Sequence, residues 1–170
     1  MTCMPQRSLL LMRHAKASPS TGGVSDSDRP LLAEGKDAAT RVGAFIKREQ
    51  FAVDFAISSP AVRARETIES VLQAAGMSLQ VHADPRLYEG GPLRLLEVLA
   101  EVDNNLKAVL VVGHNPVLEE FVHLLTEESV HLSPGTLAHL DLAATEWSEV
   151  SRVKHKLRRV VRPKELSKDG

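Results

Sequence analysis

The sequence contains one cysteine, few aromatic residues and almost no net charge. Cys3 is the only cysteine among the 170 residues, which excludes an internal disulfide and favours a reducing compartment. The 21 lysine and arginine residues nearly balance the 22 acidic residues, leaving a net charge of −1. Because nucleic acids are bound through excess positive charge, we do not expect nucleic acid as the main ligand. Aromatic residues make up 4% of the chain, so stacking platforms for single strands are not expected either.

The sequence also lacks a long hydrophobic run. No apolar run reaches the roughly 20 residues of a membrane span, and the start from Met1 to Arg7 is too short and polar for a secretory signal. We therefore expect no membrane partner and a cytoplasmic location. A chain of this length with 43% hydrophobic residues is expected to fold as a single domain over residues 1–170.

Apolar strands alternate with amphipathic helices over most of the chain. The pattern predicts strands at 7–12, 53–57, 79–82 and 107–112, and helices over 33–49, from Pro60 to Gly76, from Pro92 to Val102, and from Pro116. Ser58 or Ser59 and Asn115 are the expected N-caps. Residues 136–142 and 150–161 alternate instead, which predicts two β segments added at a sheet edge. The expected fold class is α/β: a three-layer α/β/α sandwich with a mostly parallel central sheet and added C-terminal edge strands.

Histidine and arginine residues follow three of the predicted strands. Arg13 and His14 end the first strand, Arg63 lies in the first turn of the next helix, and His114 follows the fourth strand. Because the carboxyl ends of parallel strands meet at one edge of a sheet, we expect one anion site there. Arginine binds phosphate bidentately, helix N-termini favour anions, and a neutral imidazole can accept a phosphoryl group. Taken one at a time, these residues also fit a surface arginine and a helix-start histidine.

A zinc site is the alternative use of the seven histidines. They show no i,i+4 pair, and the chain has no CxxC motif. We therefore expect no metal and no other cofactor.

Five segments carry a resemblance to a known family. They are Leu11–Ala17, Asp28–Leu31, Ser58–Thr67, Arg86–Glu89 and Val112–Pro116. In this order they resemble the histidine phosphatase superfamily (phosphoglycerate mutase-like), in its small branch of SixA-type phosphohistidine phosphatases. The resemblance implies the phosphoglycerate mutase-like fold, a phosphohistidine intermediate on His14, and a phosphate pocket of Arg13, Arg63 and His114.

Two residues depart from the family pattern. Ala15 stands where the family usually has glycine, as in some other small members. Leu32 stands where a helix-capping serine or threonine is common. We expect the first change to leave activity intact and the second to affect helix stability rather than chemistry.

The general acid has three candidates. Glu89 matches a position where larger relatives have an acidic residue, and Asp26 and Asp28 lie in the long loop 15–30. An imidazole leaving group, with a ring pKa near 6.5, departs readily, so the acid could also be dispensable. Arg29 ends the same loop and is either a third phosphate contact or a partner of Asp26 or Asp28.

The substrate follows from the size of the pocket lid. Larger relatives carry long insertions, whereas residues 89–107 hold one short predicted helix, which indicates an open pocket. This favours phosphohistidine on a protein as substrate, with a small sugar or nucleotide phosphate ester as the alternative. A non-catalytic phosphoprotein-binding module is the alternative of another class. The basic stretch from Arg152 to Lys164 either steers an acidic partner or is the solvated face of an edge strand. The oligomeric state stays open, with a monomer as one option.

Overall fold

The chain folds into alternating strands and helices in a computed structural model that describes residues 7–167. The strands are β1 (Arg7–Arg13), β2 (Phe55–Ser58), β3 (Val81–Ala83), β4 (Ala108–Gly113), β5 (Leu137–Leu142) and β6 (Lys156–Val161). The α-helices are α1 (Ala33–Arg48), α2 (Val62–Ala75), α3 (Arg86–Glu89), α4 (Pro92–Ala100) and α5 (Val117–Thr126), with 3₁₀ helices at Asp26–Asp28, Trp147–Arg152 and Pro163–Glu165. Cys3, and the predicted absence of a signal before Arg7, concern residues outside this described range.

The strands form one sheet in the order β3-β2-β4-β1-β5-β6. The first four pair in parallel, whereas β5 is antiparallel to β1 and β6 is antiparallel to β5. Every residue of β4 is buried, as expected for a central strand covered on both faces. The register of β1 with β4 aligns Arg13 with Gly113. The residues that follow these two strands therefore leave the sheet side by side.

Helices cover both faces of the sheet. The apolar sides of α1 and α2 join one core cluster, and those of α4 and α5 join the other. Gly43 permits a close approach of α1 to α2, because a Cβ at this position would collide with the carbonyl oxygen of Val71. The three-layer sandwich with a mostly parallel sheet and added C-terminal edge strands is therefore confirmed. None of the helices within residues 7–167 is long and apolar enough to cross a membrane.

The predicted N-caps of α2 and α5 are wrong. Ala61 is the N-cap of α2 and makes no side-chain cap hydrogen bond, because Ser58 still belongs to β2 and Ser59 lies in the turn before the helix. Likewise, α5 begins at Val117. The Asn115 amide donates to the Glu119 carboxylate and to the carbonyl of Leu132, each at 2.8 Å, rather than accepting a helix N–H. The uncapped start of α1 at Leu32 is confirmed.

Further element boundaries differ from the prediction. Strands β2 and β3 begin two residues late, because Val53 and Leu79 pack against the core before strand pairing begins. The short helix α3 was not predicted, and at its start the Asp84 carboxylate accepts the N–H of Arg86 at 3.0 Å. Helix α4 ends at Ala100, so Val102 is buried beyond its end.

The second C-terminal β segment is shorter than predicted. Trp147–Arg152 is a 3₁₀ helix with Trp147 and Val150 buried, so the strand begins only at Lys156. Its basic side chains lie along an edge of the sheet and pair with acids, as Arg158 does with Asp141 at 2.8 Å. These contacts fit the solvated face of an edge strand.

Candidate active site

The ends of β1 and β4 bring two histidines together. The backbone N–H of His14 donates to the carbonyl of Gly113 at 3.0 Å. Gly113 is the last residue of β4, and His114 follows it directly. The two imidazole rings lie 5.2 Å apart between centroids, tilted by 54°. The sheet register thus places both rings at the carboxyl edge, as the strand-end pattern predicts.

His14 is held as a neutral ring by contacts at both of its nitrogens. Its Nδ1 lies 2.8 Å from the carbonyl oxygen of Ala15, which can only accept, so Nδ1 carries the hydrogen. Its Nε2 accepts from Nε of Arg63 at 3.3 Å. Burial, with the charges of Arg63, Arg13 and Arg29, lowers the pKa of His14 to about 4, although the hydrogen bond to Ala15 acts in the opposite direction. At neutral pH the lone pair therefore lies on Nε2, facing the arginine.

Arg63 is the central cation of the cluster. It is the second residue of α2, and only 5% of it is exposed. Besides His14, its guanidinium contacts the Asp26 carbonyl at 2.7 Å and the Asp26 carboxylate at 3.1 Å. Its Nη2 also lies 3.4 Å from Nδ1 of His114. One planar fork thus reaches both histidines and the long loop.

His114 is also neutral and contacts Ser59, Tyr88 and Arg63. Its Nε2 lies 2.7 Å from the hydroxyl of Ser59, and the ring of Tyr88 meets it edge-on at 5.6 Å. Burial, together with the nearby His14 and Arg63, lowers the pKa of His114 to about 3. The Nδ1 side of the ring is the side that faces Arg63.

Asp26 connects the long loop to this cluster. Its carboxylate accepts from Tyr88 Oη at 2.8 Å and pairs with Nε of Arg29 at 3.1 Å, in addition to Arg63. The hydrogen bond from Tyr88 and the charges of Arg63 and Arg29 hold the pKa of Asp26 below its ordinary value. Arg29 therefore makes the ion pair that the sequence left open. The Nη1 of Arg29 donates a hydrogen bond to the carbonyl of Ser18 at 3.1 Å.

Arg13 stands at the same edge with its side chain fixed by a loop. Its Nη1 donates to the carbonyl of Leu132 at 3.0 Å. Its charge is near enough to lower the pKa of both His14 and His114. Burial in turn lowers the pKa of Arg13 itself.

The three candidate acids occupy different environments. Glu89 is exposed at the end of α3 and lines a surface depression with Arg86 and Arg94. Asp28 is exposed and accepts from the Ser25 hydroxyl at 2.7 Å. Asp26 is therefore the candidate that contacts the central arginine, and its environment favours the carboxylate form.

Two buried hydroxyls support the site, and sequence reasoning did not assign them this role. The Thr67 hydroxyl accepts the N–H of Ala15 at 3.0 Å and donates to the carbonyl of Arg63 at 2.6 Å. It therefore ties the segment after His14 to the helix that carries Arg63. The Ser59 hydroxyl contacts His114. The four-residue spacing from Arg63 to Thr67 is the one sequence signal that could have indicated the hydrogen bond from the Thr67 hydroxyl to the Arg63 carbonyl.

Known proteins share both the sequence motifs and the fold. The model of the histidine phosphatase superfamily (branch 1) matches residues 9–91. A phosphohistidine phosphatase SixA homologue of Haemophilus influenzae is 30% identical over 147 residues, spanning 78% of this chain and 86% of that protein. Within residues 7–167, no group of three or more His, Cys, Asp or Glu side chains is arranged to hold a metal ion.

Solved structures extend the similarity over nearly the whole chain. A protein from Nakamurella multipartitia, assigned as a SixA phosphohistidine phosphatase, superposes with a TM-score of 0.81 at 32% identity, covering 92% of this chain and 96% of that one. The protein histidine phosphatase SixA complexed with tungstate has the same TM-score at 22% identity, covering 93% and 98%. These similarities confirm the phosphoglycerate mutase-like fold implied by the resemblance.

Proposed function

Because this chain belongs to the histidine phosphatase superfamily and is a phosphatase, we propose that it works through a phosphohistidine on His14. In the first step, Nε2 of His14 attacks phosphorus and the bond to the leaving group breaks. In the second, water attacks phosphorus, the P–N bond to His14 breaks, and inorganic phosphate leaves. The observation that carries this proposal is the hydrogen bond from Nδ1 to Ala15, which leaves Nε2 as the nucleophile.

The surrounding cations supply the charge that the transition state needs. Arg63 contacts the nucleophilic nitrogen of His14. The charge of Arg13 lowers the pKa of both histidines, and the charge of Arg29 lowers the pKa of His14. His114 lies beside them as a further donor to a phosphoryl oxygen. Fixed donors of this kind stabilise the equatorial oxygens without reorganisation. We therefore propose that the reaction needs no metal ion.

We further propose phosphohistidine on a protein as the substrate. Asp26 is held as a carboxylate and Glu89 lies in a separate depression, so neither is poised as a strong proton donor. An imidazole leaving group tolerates this, because its conjugate acid has a pKa near 6.5, whereas an alkoxide needs a proton as it leaves. The relatives named as phosphohistidine phosphatases point in the same direction.

The shape of the region after Glu89 supports the same substrate. Helix α4 buries Leu95, Val98 and Leu99 in the core beneath the sheet. It therefore belongs to a layer of the sandwich and is not a lid that encloses a small molecule. An open site suits a phosphorylated side chain on another protein.

Hydrolysis of an aryl phosphate in the presence of EDTA tests the mechanism. We expect turnover in the wild type and acid-labile phosphate on the protein in a quenched reaction, with both lost in His14→Ala. The matched control His123→Ala changes an exposed histidine of α5 and should behave as the wild type. EDTA-sensitive turnover would contradict metal independence. Binding of phosphate without turnover would favour the phosphoprotein-binding module.

A substrate panel tests the substrate class. We expect a phosphohistidine protein to be hydrolysed with a higher kcat/KM than sugar or nucleotide monoesters. Glu89→Gln should leave the phosphohistidine reaction intact, because that leaving group needs no strong acid. An equal loss on all substrates would assign Glu89 as a general acid, and a preference for monoesters would favour the small-molecule alternative.

A further inference from the structure

Ser59 lies on the buried side of His114 and makes two hydrogen-bonding contacts through its hydroxyl among residues 7–167. The side chain is fully buried, and its Oγ lies 2.7 Å from Nε2 of His114. The same oxygen accepts the N–H of Ala61 at 3.1 Å. The backbone N–H of Ser59 donates to the carbonyl of Val112 at 3.1 Å, so the turn is tied to β4. Ser59 and His114 thus have fixed relative positions.

The hydrogen of this hydroxyl must have an acceptor. A serine hydroxyl has one hydrogen to donate and two lone pairs, and a buried hydroxyl is nearly always satisfied. The N–H of Ala61 donates to one lone pair of the Ser59 oxygen, so this contact does not use the hydroxyl hydrogen. The remaining contact, Nε2 of His114, therefore accepts that hydrogen. A neutral imidazole whose Nε2 accepts carries its own hydrogen on Nδ1.

We propose that Ser59 is a positioning residue that holds His114 as the Nδ1–H tautomer, so that this N–H faces the pocket and donates to the phosphoryl group. The target of the N–H rests on the proposed function, whereas the tautomer follows from the contacts of Ser59 alone. The reverse tautomer would leave the Ser59 hydrogen without an acceptor and would turn a lone pair toward the oxygens of the substrate.

The contact between Nδ1 of His114 and Nη2 of Arg63 would suit the reverse tautomer, because a guanidinium only donates, but it is much longer than the contact with Ser59. At 3.4 Å it lies beyond the usual range of an N–H hydrogen bond. The contact of Nε2 with the Ser59 hydroxyl is 2.7 Å long and is the stronger of the two, so it decides the tautomer. Burial keeps the pKa of His114 near 3, so the ring stays neutral and retains a single tautomer-defining hydrogen.

Long-range ¹H–¹⁵N NMR of the imidazole rings tests the tautomer directly in the wild-type protein. We expect the His114 signals, assigned by their loss in His114→Gln, to show a protonated Nδ1 and an unprotonated Nε2. A protonated Nε2 in the wild type would overturn the proposal, whatever the activity of the protein. This measurement needs no variant of Ser59 to fold.

The matched pair Ser59→Ala and Ser58→Ala tests the consequence. Ser58 is equally buried, but its hydroxyl donates to the carbonyl of Ser59 at 2.9 Å. For Ser59→Ala we expect a mixed or reversed tautomer and a fall in aryl phosphate kcat of about 10-fold or more, since an oxyanion donor is misdirected. For Ser58→Ala we expect the wild-type tautomer and kcat.

The outcomes separate this inference from the proposed function. Ser59→Ala with an unchanged tautomer and unchanged kcat would overturn the role of Ser59. If the wild type shows the Nδ1–H tautomer but His14→Ala still hydrolyses the aryl phosphate, the proposed function fails and the tautomer assignment stands.

Discussion

Acidification should destabilise the folded protein through His14. Burial lowers the pKa of this ring from 6.5 to about 4, so the folded chain keeps it neutral where the unfolded chain protonates it. Between these two values the unfolded state binds more protons. The free energy of unfolding is therefore unaffected by His14 above pH 6.5 and falls as the pH drops from 6.5 toward 4.

The size of this effect follows from the shift. Each pKa unit corresponds to about 1.4 kcal/mol. A measurement at pH 4.5 lies about two pH units below the unfolded-state pKa of 6.5 and still above the folded-state pKa of about 4. His14 should therefore lower the free energy of unfolding by about 2 to 3 kcal/mol between pH 7 and pH 4.5. That is a large fraction of the roughly 5 to 15 kcal/mol by which domains are stable.

Urea unfolding followed by circular dichroism measures the effect as a double difference. Wild type and His14→Asn are compared at pH 7 and at pH 4.5. The packing change caused by the substitution is present at both pH values and cancels. We expect the variant to lose about 2 kcal/mol less than the wild type on acidification. Equal losses in both proteins would refute the conclusion that the folded chain holds His14 as a buried neutral ring.

Three further predictions concern the contacts around this ring. Arg63→Gln should lower aryl phosphate kcat/KM by about 10²- to 10³-fold, whereas Arg65→Gln, an exposed neighbour on α2, should not; similar losses would mean that general positive charge suffices. Thr67→Val should lower both the free energy of unfolding, by about 1 to 3 kcal/mol, and kcat, because the N–H after the nucleophile loses its acceptor. Thr126→Val removes another buried helical hydroxyl that donates to the carbonyl four residues earlier, and it should affect stability alone; an unchanged kcat in Thr67→Val would count against its positioning role. Asp26→Asn should tighten inorganic phosphate binding about 5-fold by calorimetry, since a unit charge at contact distance is worth about 1 kcal/mol in water; weaker binding would mean that Asp26 mainly orients the arginines.

The site residues next to strand ends were accessible from sequence. Arg13, His14 and His114 each follow a buried apolar strand, and Arg63 lies one turn beyond another. Parallel strands end at one edge of their sheet, so position along the chain already predicted convergence. The same argument predicted the layers, because a continuous apolar strand must be covered on both faces.

Other contacts had no sequence signal. Asp26 reaches Arg63 from a loop 37 residues earlier, and a loop has no periodicity from which such a contact can be inferred. Ser59 precedes a proline, a pattern typical of a helix cap, and its contact with His114 depends on the pairing of β2 with β4. The three candidate acids likewise could not be distinguished from sequence, because only the fold shows that Asp26 contacts Arg63 and that Asp28 and Glu89 do not.

Sequence alone therefore determined the fold class and the chemical groups at the carboxyl edge, because hydrophobic periodicity and the positions of residues next to strand ends are local properties of the chain. Tertiary structure decided the protonation of both histidines, the partner of each arginine and the hydroxyl behind His114. These depend on burial and on distances of a few ångströms between segments far apart in the chain, which only the packed sheet and its loops establish.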